Sequence, residues 1–272
     1  MTDKKTTGQY PIAHRAGEIE RLHIQGQAIA FDAAVMLNRI KMELGWRCLD
    51  LGCGPGGITA LLSERVGPQG SVVGLDADSV FLEHARQRVD AAANVKFVQG
   101  NVYHTELPND EFDLVHVRYV AGTAGEPKVL LREMIRLARP GGVIALQEPD
   151  ISTLNCYPPH PAWDRLKEVQ TQTFLSVGAN PRLGQSLYQL VRAAGVQDVH
   201  YRPFFVGVRS GDPMTDFLPS TVESLRNTMI EKNLIQPQEL DQLIAACRAH
   251  LAKADTVFTF VTTVQVWGRV KE

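Results

Sequence analysis

Lysine and arginine never run together in a block in this 272-residue chain, in which 28 basic and 30 acidic residues leave a formal net charge of -2. The basic stripe that neutralises phosphates is therefore missing, and no nucleic-acid partner is expected. No apolar run approaches the roughly 20 residues that cross a bilayer, so no membrane span is expected either. The first residues, MTDKKTTGQYP, lack the apolar core of a secretory signal, and the expected location is the cytoplasm. Cys48, Cys53, Cys156 and Cys247 are scattered without a CxxC pair, which argues against both a disulfide framework and a zinc site. No metal is expected, and oligomeric state is not readable from this chain.

What remains is ordinary globular composition, with 44% hydrophobic and 21% charged residues, 22 glycines and 15 prolines, enough to bury a sizeable core. From Gly17 to Leu44 apolar residues recur near a 3.6-residue period, predicting one or two helices. Strands are predicted at Arg47 to Leu51, Ser71 to Asp76, Val95 to Gln99, Phe112 to Val117 and Val143 to Glu148, each separated from the next by a helix or loop. The helix from Pro127 to Leu137 is ended by Arg139-Pro140-Gly141-Gly142, a sharp reversal. Beyond Asp150 the rhythm changes. Helices are expected at 162–175, 183–194, 214–231 and 237–253, and single strands at 199–208 and 256–270.

Strands alternating with helices mean a parallel sheet with right-handed crossovers. The strand ends then share one edge, and Asp50, Asp76, Asn101, Arg118 and Glu148 are expected to line one crevice there. The helical segment before the first strand packs at the mouth of the sheet, where Tyr10, His14, Arg21 and Gln25 would close over a ligand.

The stretch Cys48 to Gly57, CLDLGCGPGG, enters that crevice as a strand, turns on glycines and leaves as a helix whose free N–H groups face the bound molecule. Gly52, Gly54 and Gly57 satisfy the dinucleotide spacing, and Asp76 lies where a ribose-binding acid belongs, so an NAD(P)-dependent oxidoreductase is one reading. Asp50 opposes it, because a carboxylate two residues before the first glycine repels a pyrophosphate and attracts a cation. S-adenosyl-L-methionine, with a sulfonium, an ammonium and a ribose diol, fits that charge.

LDLGCGPG, GLD, QGNV, FDLVHV and ARPGG, in this order, resemble the motifs of the class I S-adenosylmethionine-dependent methyltransferases. The resemblance is strongest to the small-molecule group that includes the menaquinone and ubiquinone C-methyltransferases, and it is specific over residues 46–150. It implies a Rossmann-like α/β fold: a seven-stranded, mostly parallel sheet with helices on both faces, an antiparallel last strand, a helical cap at 1–45, and lid insertions at 151–180 and 212–254 of a domain spanning 46–272. It also implies roles for individual residues. Gly52 and Gly54 approach the methionine part, with Asp50 near its ammonium; Asp76, followed by Ala77, holds the ribose; Asn101 and Val102 hold the adenine edge, Asn101 standing where the family more often has Asp. Arg118 occupies the position whose backbone lies near the methyl group, and Tyr10 and Gln25 complete the cofactor set from the cap.

Methyl transfer is an in-line displacement that needs alignment and a dry site more than a base, and no triad is visible. Glu148, Asp150 and Tyr119 are the candidates to orient or deprotonate the acceptor, with Tyr157 and His160 in the lid; His116 reads as a packed residue. The Asn/Asp-Pro-Pro-aromatic signature of nucleobase and glutamine methylation is absent after the fourth strand, where the chain reads HVRYVAG. The partner expected is a small-molecule acceptor, methylated at oxygen, nitrogen or carbon; a protein that binds the cofactor without transferring a methyl group is the other alternative. Titration calorimetry is expected to show binding of S-adenosylhomocysteine and none of NADH; the reverse result would return the chain to the oxidoreductases.

Overall fold

The computed structural model describes residues 17–89 and 94–272. Tyr10 and His14 lie outside the described residues, as does the end expected near Ala92 for the helix that starts at Ser79. Two helices, α1 (Glu18–Ala28) and α2 (Ala30–Ile40), precede β1 (Arg47–Leu51). The chain then alternates through α3 (Gly57–Val66), β2 (Ser71–Asp76), α4 (Ser79–Arg88), β3 (Val95–Gln99), β4 (Phe112–Arg118), α5 (Pro127–Leu137) and β5 (Ala138–Asp150). The remainder comprises β6 (Asn155–Tyr157), α6 (Pro161–Ser176), α7 (Leu187–Ala193), β7 (Gln197–Phe204), β8 (Gly207–Arg209), α8 (Phe217–Glu231), α9 (Pro237–Leu251), β9 (Val257–Thr259) and β10 (Thr262–Arg269).

Local chemistry sets several of these boundaries. Asp78 caps α4 by accepting from the Val80 and Phe81 amides at 2.8 and 3.2 Å, satisfying two N–H groups that the first turn leaves free. Pro127, Pro161 and Pro237 each open a helix, where the missing N–H costs nothing.

Seven strands form one sheet in the order β3-β2-β1-β4-β5-β10-β7. β10 runs antiparallel between β5 and β7, so the expected seven-stranded sheet with an antiparallel last strand is what the chain builds. Alternation along the strands divides two cores. Cys48, Leu114, Ala145 and Trp267 pack with Met36 and Leu37 of α2 and Leu62 of α3. Leu49, Val115, Ile144 and Val266 point to the other face, under Leu130 and Met134 of α5 and Val191 of α7. Both faces of the parallel part are thus covered, which explains its long apolar strands.

The single strands expected at 199–208 and 256–270 are each divided. β7 and β10 belong to the large sheet, whereas β8 and β9 join β6 in a three-stranded antiparallel sheet of their own. From Thr256 to Trp267 no glycine or proline marks a break. The change of sheet comes instead from Phe260, 1% exposed, which turns into the apolar cluster beneath the small sheet, while its amide donates to the Val206 carbonyl at 2.8 Å and joins the two crossings. β5 is also longer than expected. Arg139 to Gly142 lie within it at a register shift opposite Phe112 and Leu114, and Gly141, with φ of 70°, turns the chain there.

The segments expected as lids share one core. Trp163 and Leu166 of α6, Val222 and Leu225 of α8, Cys247 of α9 and Phe258 of β9 belong to a single buried cluster. Cys247 is fully buried in it, as its helical stripe implies. Leu225→Ala is expected to lower unfolding free energy by about 2–5 kcal/mol, and Phe31→Ala, at a side chain 76% exposed, to change it by less than about 0.5 kcal/mol. Urea denaturation of the two variants measures both.

Candidate functional site

The glycine turn after β1 is built by backbone conformations that disfavour side chains. Gly52, Gly54 and Gly56 have φ of 69, 52 and 83°, and a methyl group on Gly52 would overlap Val120. The amides of Gly52 and Cys53 donate to the Leu75 carbonyl at 2.7 and 3.0 Å, which folds the turn back over β2. Gly56 precedes α3 with no side-chain cap, so the first amides of that helix are left for a ligand.

A cavity of about 670 Å³ opens at this turn, within the size range of small-molecule sites. Gln25, Asp50, Gly52, Gly54, Asp76, Ala77, Asn101, Val102 and Arg118 all line it. The sequence did not point to Leu22 and His23 of α1, to Phe81, or to Tyr103 and Thr123, which line it too. They are apolar or polar helix and loop residues without a distinguishing pattern, and only the fold of α1 over the sheet edge brings them there.

Asp50 is 1% exposed. Thr59 donates to its Oδ2 at 2.6 Å, and its Oδ1 lies 3.0 Å from His116 Nδ1. A buried carboxylate is tolerated because both oxygens are engaged. His116, fully buried, is thus packed, but it also grips the acid at the cavity floor. Asp76 accepts from the Gly54 amide at one oxygen and the Asp78 amide at the other, both at 2.9 Å. Burial raises its pKa, and those two N–H groups draw it back. Asn101 Oδ1 accepts from the Tyr103 amide at 2.9 Å, which leaves it one further lone pair and its amide donors. Burial pulls the Arg118 guanidinium below its usual range, with Asp50 opposing. It lies over the start of α3, Nη2 standing 3.2 Å from where a Gly57 side chain would begin. Burial drives the Cys53 thiol strongly upward, so it stays protonated.

Tyr119 has φ of 59°, the left-handed region that disfavours a side chain. Its hydroxyl makes a short hydrogen bond with Thr263 Oγ1. Burial pushes its pKa up to about 12, with Thr263 and Gln25 among the hydrogen-bonding groups that hold it down. Tyr119, Gln25, Leu22 and Thr123 also line a second, smaller chamber of about 110 Å³, closed off by Phe174 of α6, Phe217 of α8 and Phe260. The two spaces therefore share a wall at these four residues.

Glu148 and Asp150 do not line either space. Glu148 is fully buried, and its carboxylate accepts from the Val120, Ala121 and Gly122 amides at 3.1, 2.8 and 3.1 Å. The loop after β4 folds onto the end of β5 and occupies both oxygens, so this acid anchors the loop that carries Tyr119. Asp150 is held by the Ser152 amide and hydroxyl at 3.0 and 2.6 Å and by Gln185 at 3.2 and 3.1 Å. Tyr157 is 52% exposed, and His160 caps α6 and stacks on His250 with centroids 4.5 Å apart; neither lines the site.

Comparison with known proteins agrees with this architecture. A family model described as a methyltransferase domain matches residues 43–195. A demethylmenaquinone methyltransferase from Geobacillus stearothermophilus is 30% identical over 187 residues, 64% of this chain and 80% of the relative. A solved putative methyltransferase from Bacillus halodurans superposes with a TM-score of 0.57 at 17% identity, covering 88% of this chain and 98% of that one. A solved SAM-dependent methyltransferase from Aquifex aeolicus gives 0.54 at 16% identity over 93% and 99%. At these identities the two structures share the fold.

Burial raises the Glu148 carboxyl to about 7 against the pull of its three amides. Between the ordinary value of 4.5 and about 7 the folded state holds one proton more than the unfolded chain. The stability this provides is complete below the lower value and is lost as pH rises through the upper one. Glu148→Gln is expected to flatten the stability profile in that window by up to about 1.4 kcal/mol per pH unit, measured by denaturant titration of both proteins at several pH values. An unchanged slope would contradict the assignment.

Proposed function

The chain belongs to the methyltransferase-domain family, and on that premise we propose how its cavity divides the work. The protein is an S-adenosylmethionine-dependent methyltransferase that acts on a small-molecule acceptor. When bound, S-adenosylmethionine supplies an electrophilic methyl group on a sulfonium. This replaces both alternatives, the nicotinamide oxidoreductase and the binding protein without transferase activity.

One observation carries the assignment of roles: the 670 Å³ cavity has an acid at its floor and a cation above an uncapped helix start. Those are complementary ends for a zwitterionic amino acid. Asp50, fixed between Thr59 and His116, faces the ammonium side. Arg118 and the free amides of α3 face the carboxylate. Asp76, its oxygens oriented by the Gly54 and Asp78 amides, accepts from the ribose hydroxyls, with Ala77 beside it. Asn101 and Val102 hold the base, and Gln25 closes the site from α1.

The 110 Å³ chamber takes the acceptor. Its size supports a molecule smaller than the demethylmenaquinone in the Geobacillus relative's name. Tyr119, with its pKa pushed up to about 12, keeps its proton at neutral pH and serves as a positioning hydrogen-bond group between the two spaces rather than as a base. The apolar chamber walls exclude water, which would otherwise stabilise the charged reactant. Rate enhancement then comes from alignment and desolvation.

Asp76→Ala is expected to weaken S-adenosylhomocysteine binding about 10- to 100-fold, the value of losing a charge-assisted hydrogen-bonding group, read by calorimetry with circular dichroism as the folding control. A screen of small phenols, amines and quinones with S-adenosylmethionine is expected to yield a product heavier by one methyl group. Undiminished binding by Asp76→Ala would overturn the ribose assignment.

A further inference from the structure

The smaller chamber holds one side chain that the roles above leave unused. Its walls are apolar, contributed mainly by Leu22, Ile151, Phe174, Phe217, Phe260 and Val261. Gln170 of α6 lines it too, one helical turn before Phe174 on the same face. Gln170 is 3% exposed and its Oε1 has no hydrogen-bond partner. On a helix face whose neighbours are Leu166, Val169 and Phe174, leucine would satisfy the packing. An amide kept there unpaired is unfavourable unless something completes it.

Arg21, Thr221 and the Oδ1 of Asn180, which accepts from the Arg182 amide at 3.0 Å, are already engaged. Arg21 forks onto Glu18 at 2.7 and 2.9 Å and reaches Gln25 at 3.1 Å. The Thr221 hydroxyl donates to the Phe217 carbonyl at 2.7 Å. The cation is thus neutralised by an adjacent acid, and the chamber offers a ligand no net charge. Gln170 lines the smaller chamber alone, whereas Gln25, Tyr119 and Thr123 line both spaces. A half-turn about its last bond exchanges its donor and acceptor, so it can complete either a hydroxyl or an amino group. Apolar cavities of about 150 Å³ take up benzene, which makes 110 Å³, beside a larger space that shares four of its lining residues, the scale of one ring.

We propose that the chamber takes a neutral, single-ring acceptor and that the Gln170 amide reads a hydroxyl or amino group on the side of the ring remote from the atom that receives the methyl group. This rests on the chamber being the acceptor site. Gln170 acts as a specificity residue: it touches the acceptor but not the reacting atoms. Without such a partner, burying a ring hydroxyl is costly and the bare hydrocarbon binds better. With it, a site built for the hydroxyl rejects the analogue that lacks one.

Phenol and toluene, nearly equal in shape, are suitable probes. The full chain is first titrated with S-adenosylhomocysteine, then, saturated with it, with each probe by calorimetry. The wild type is expected to bind phenol at least about 10-fold more tightly than toluene, against the hydrophobic trend. Gln170→Leu is expected to abolish or reverse that preference with S-adenosylhomocysteine affinity unchanged; Gln170→Met, of similar length, serves if the leucine variant does not fold. Ala179→Leu, which fills the chamber, is expected to lose both probes. Equal binding of the probes by the wild type, or a phenol preference retained by the Gln170 variants, would overturn the proposal. Failure to bind S-adenosylhomocysteine would instead overturn the reading of the site on which it rests.

Discussion

A row of buried polar side chains crosses the sheet beneath the cofactor cavity, and the position of Asp50 depends on it. Arginine only donates, and that fixes every orientation along the row. Arg202 of β7 pairs with Asp32 of α2 and donates to Gln265 Oε1 at 2.9 Å. The Gln265 amide nitrogen must then point the other way, to the Asp32 carbonyl at 3.0 Å and to Gln147 Oε1 at 2.9 Å. The Gln147 nitrogen donates in turn to His116 Nε2 at 2.9 Å. His116 therefore carries its proton on Nδ1 and donates it to Asp50. Gln147, Gln265 and His116 are all fully buried, so each link must be satisfied for the row to be tolerated. The same row ties α2 to five strands and requires β10 between β5 and β7.

On this floor the molecule separates two tasks. The strand ends and the glycine turn, roofed by α1, form the larger cavity. The lid segments, two separate stretches of chain sharing one core, close the smaller chamber. They meet at Tyr119, whose strained backbone persists because the three amides that follow it are held by Glu148. Glu148 thus supports the junction without touching either space.

The larger cavity was legible because strand ends and glycine conformation are local properties. Once CLDLGCGPGG was read as strand, turn and helix, Asp50, Asp76, Asn101 and Arg118 had to share an edge. Glu148 was misplaced because alternation reports the face of a strand but not which loop folds back onto it. The division of 256–270 between two sheets was invisible because Phe260 looks like any strand residue and acts only through the core that the lid segments share. Gln170 gave no sign for the opposite reason: a glutamine on a helix is ordinary, and its meaning appears only once its neighbours are known to be apolar and its amide unpaired. Sequence periodicity locates elements well, and long-range side-chain partners poorly.

The central claim is that the two spaces are one working site joined at Tyr119, Gln25 and Thr123. A crystal structure of the protein with S-adenosylhomocysteine tests it most directly. The account predicts the ribose on Asp76, the amino-acid tail between Asp50 and Arg118, and the sulfur at the junction with an open line into the smaller chamber. A ligand bound with its sulfur turned away from Tyr119, or separated from the chamber by a closed wall, would contradict it.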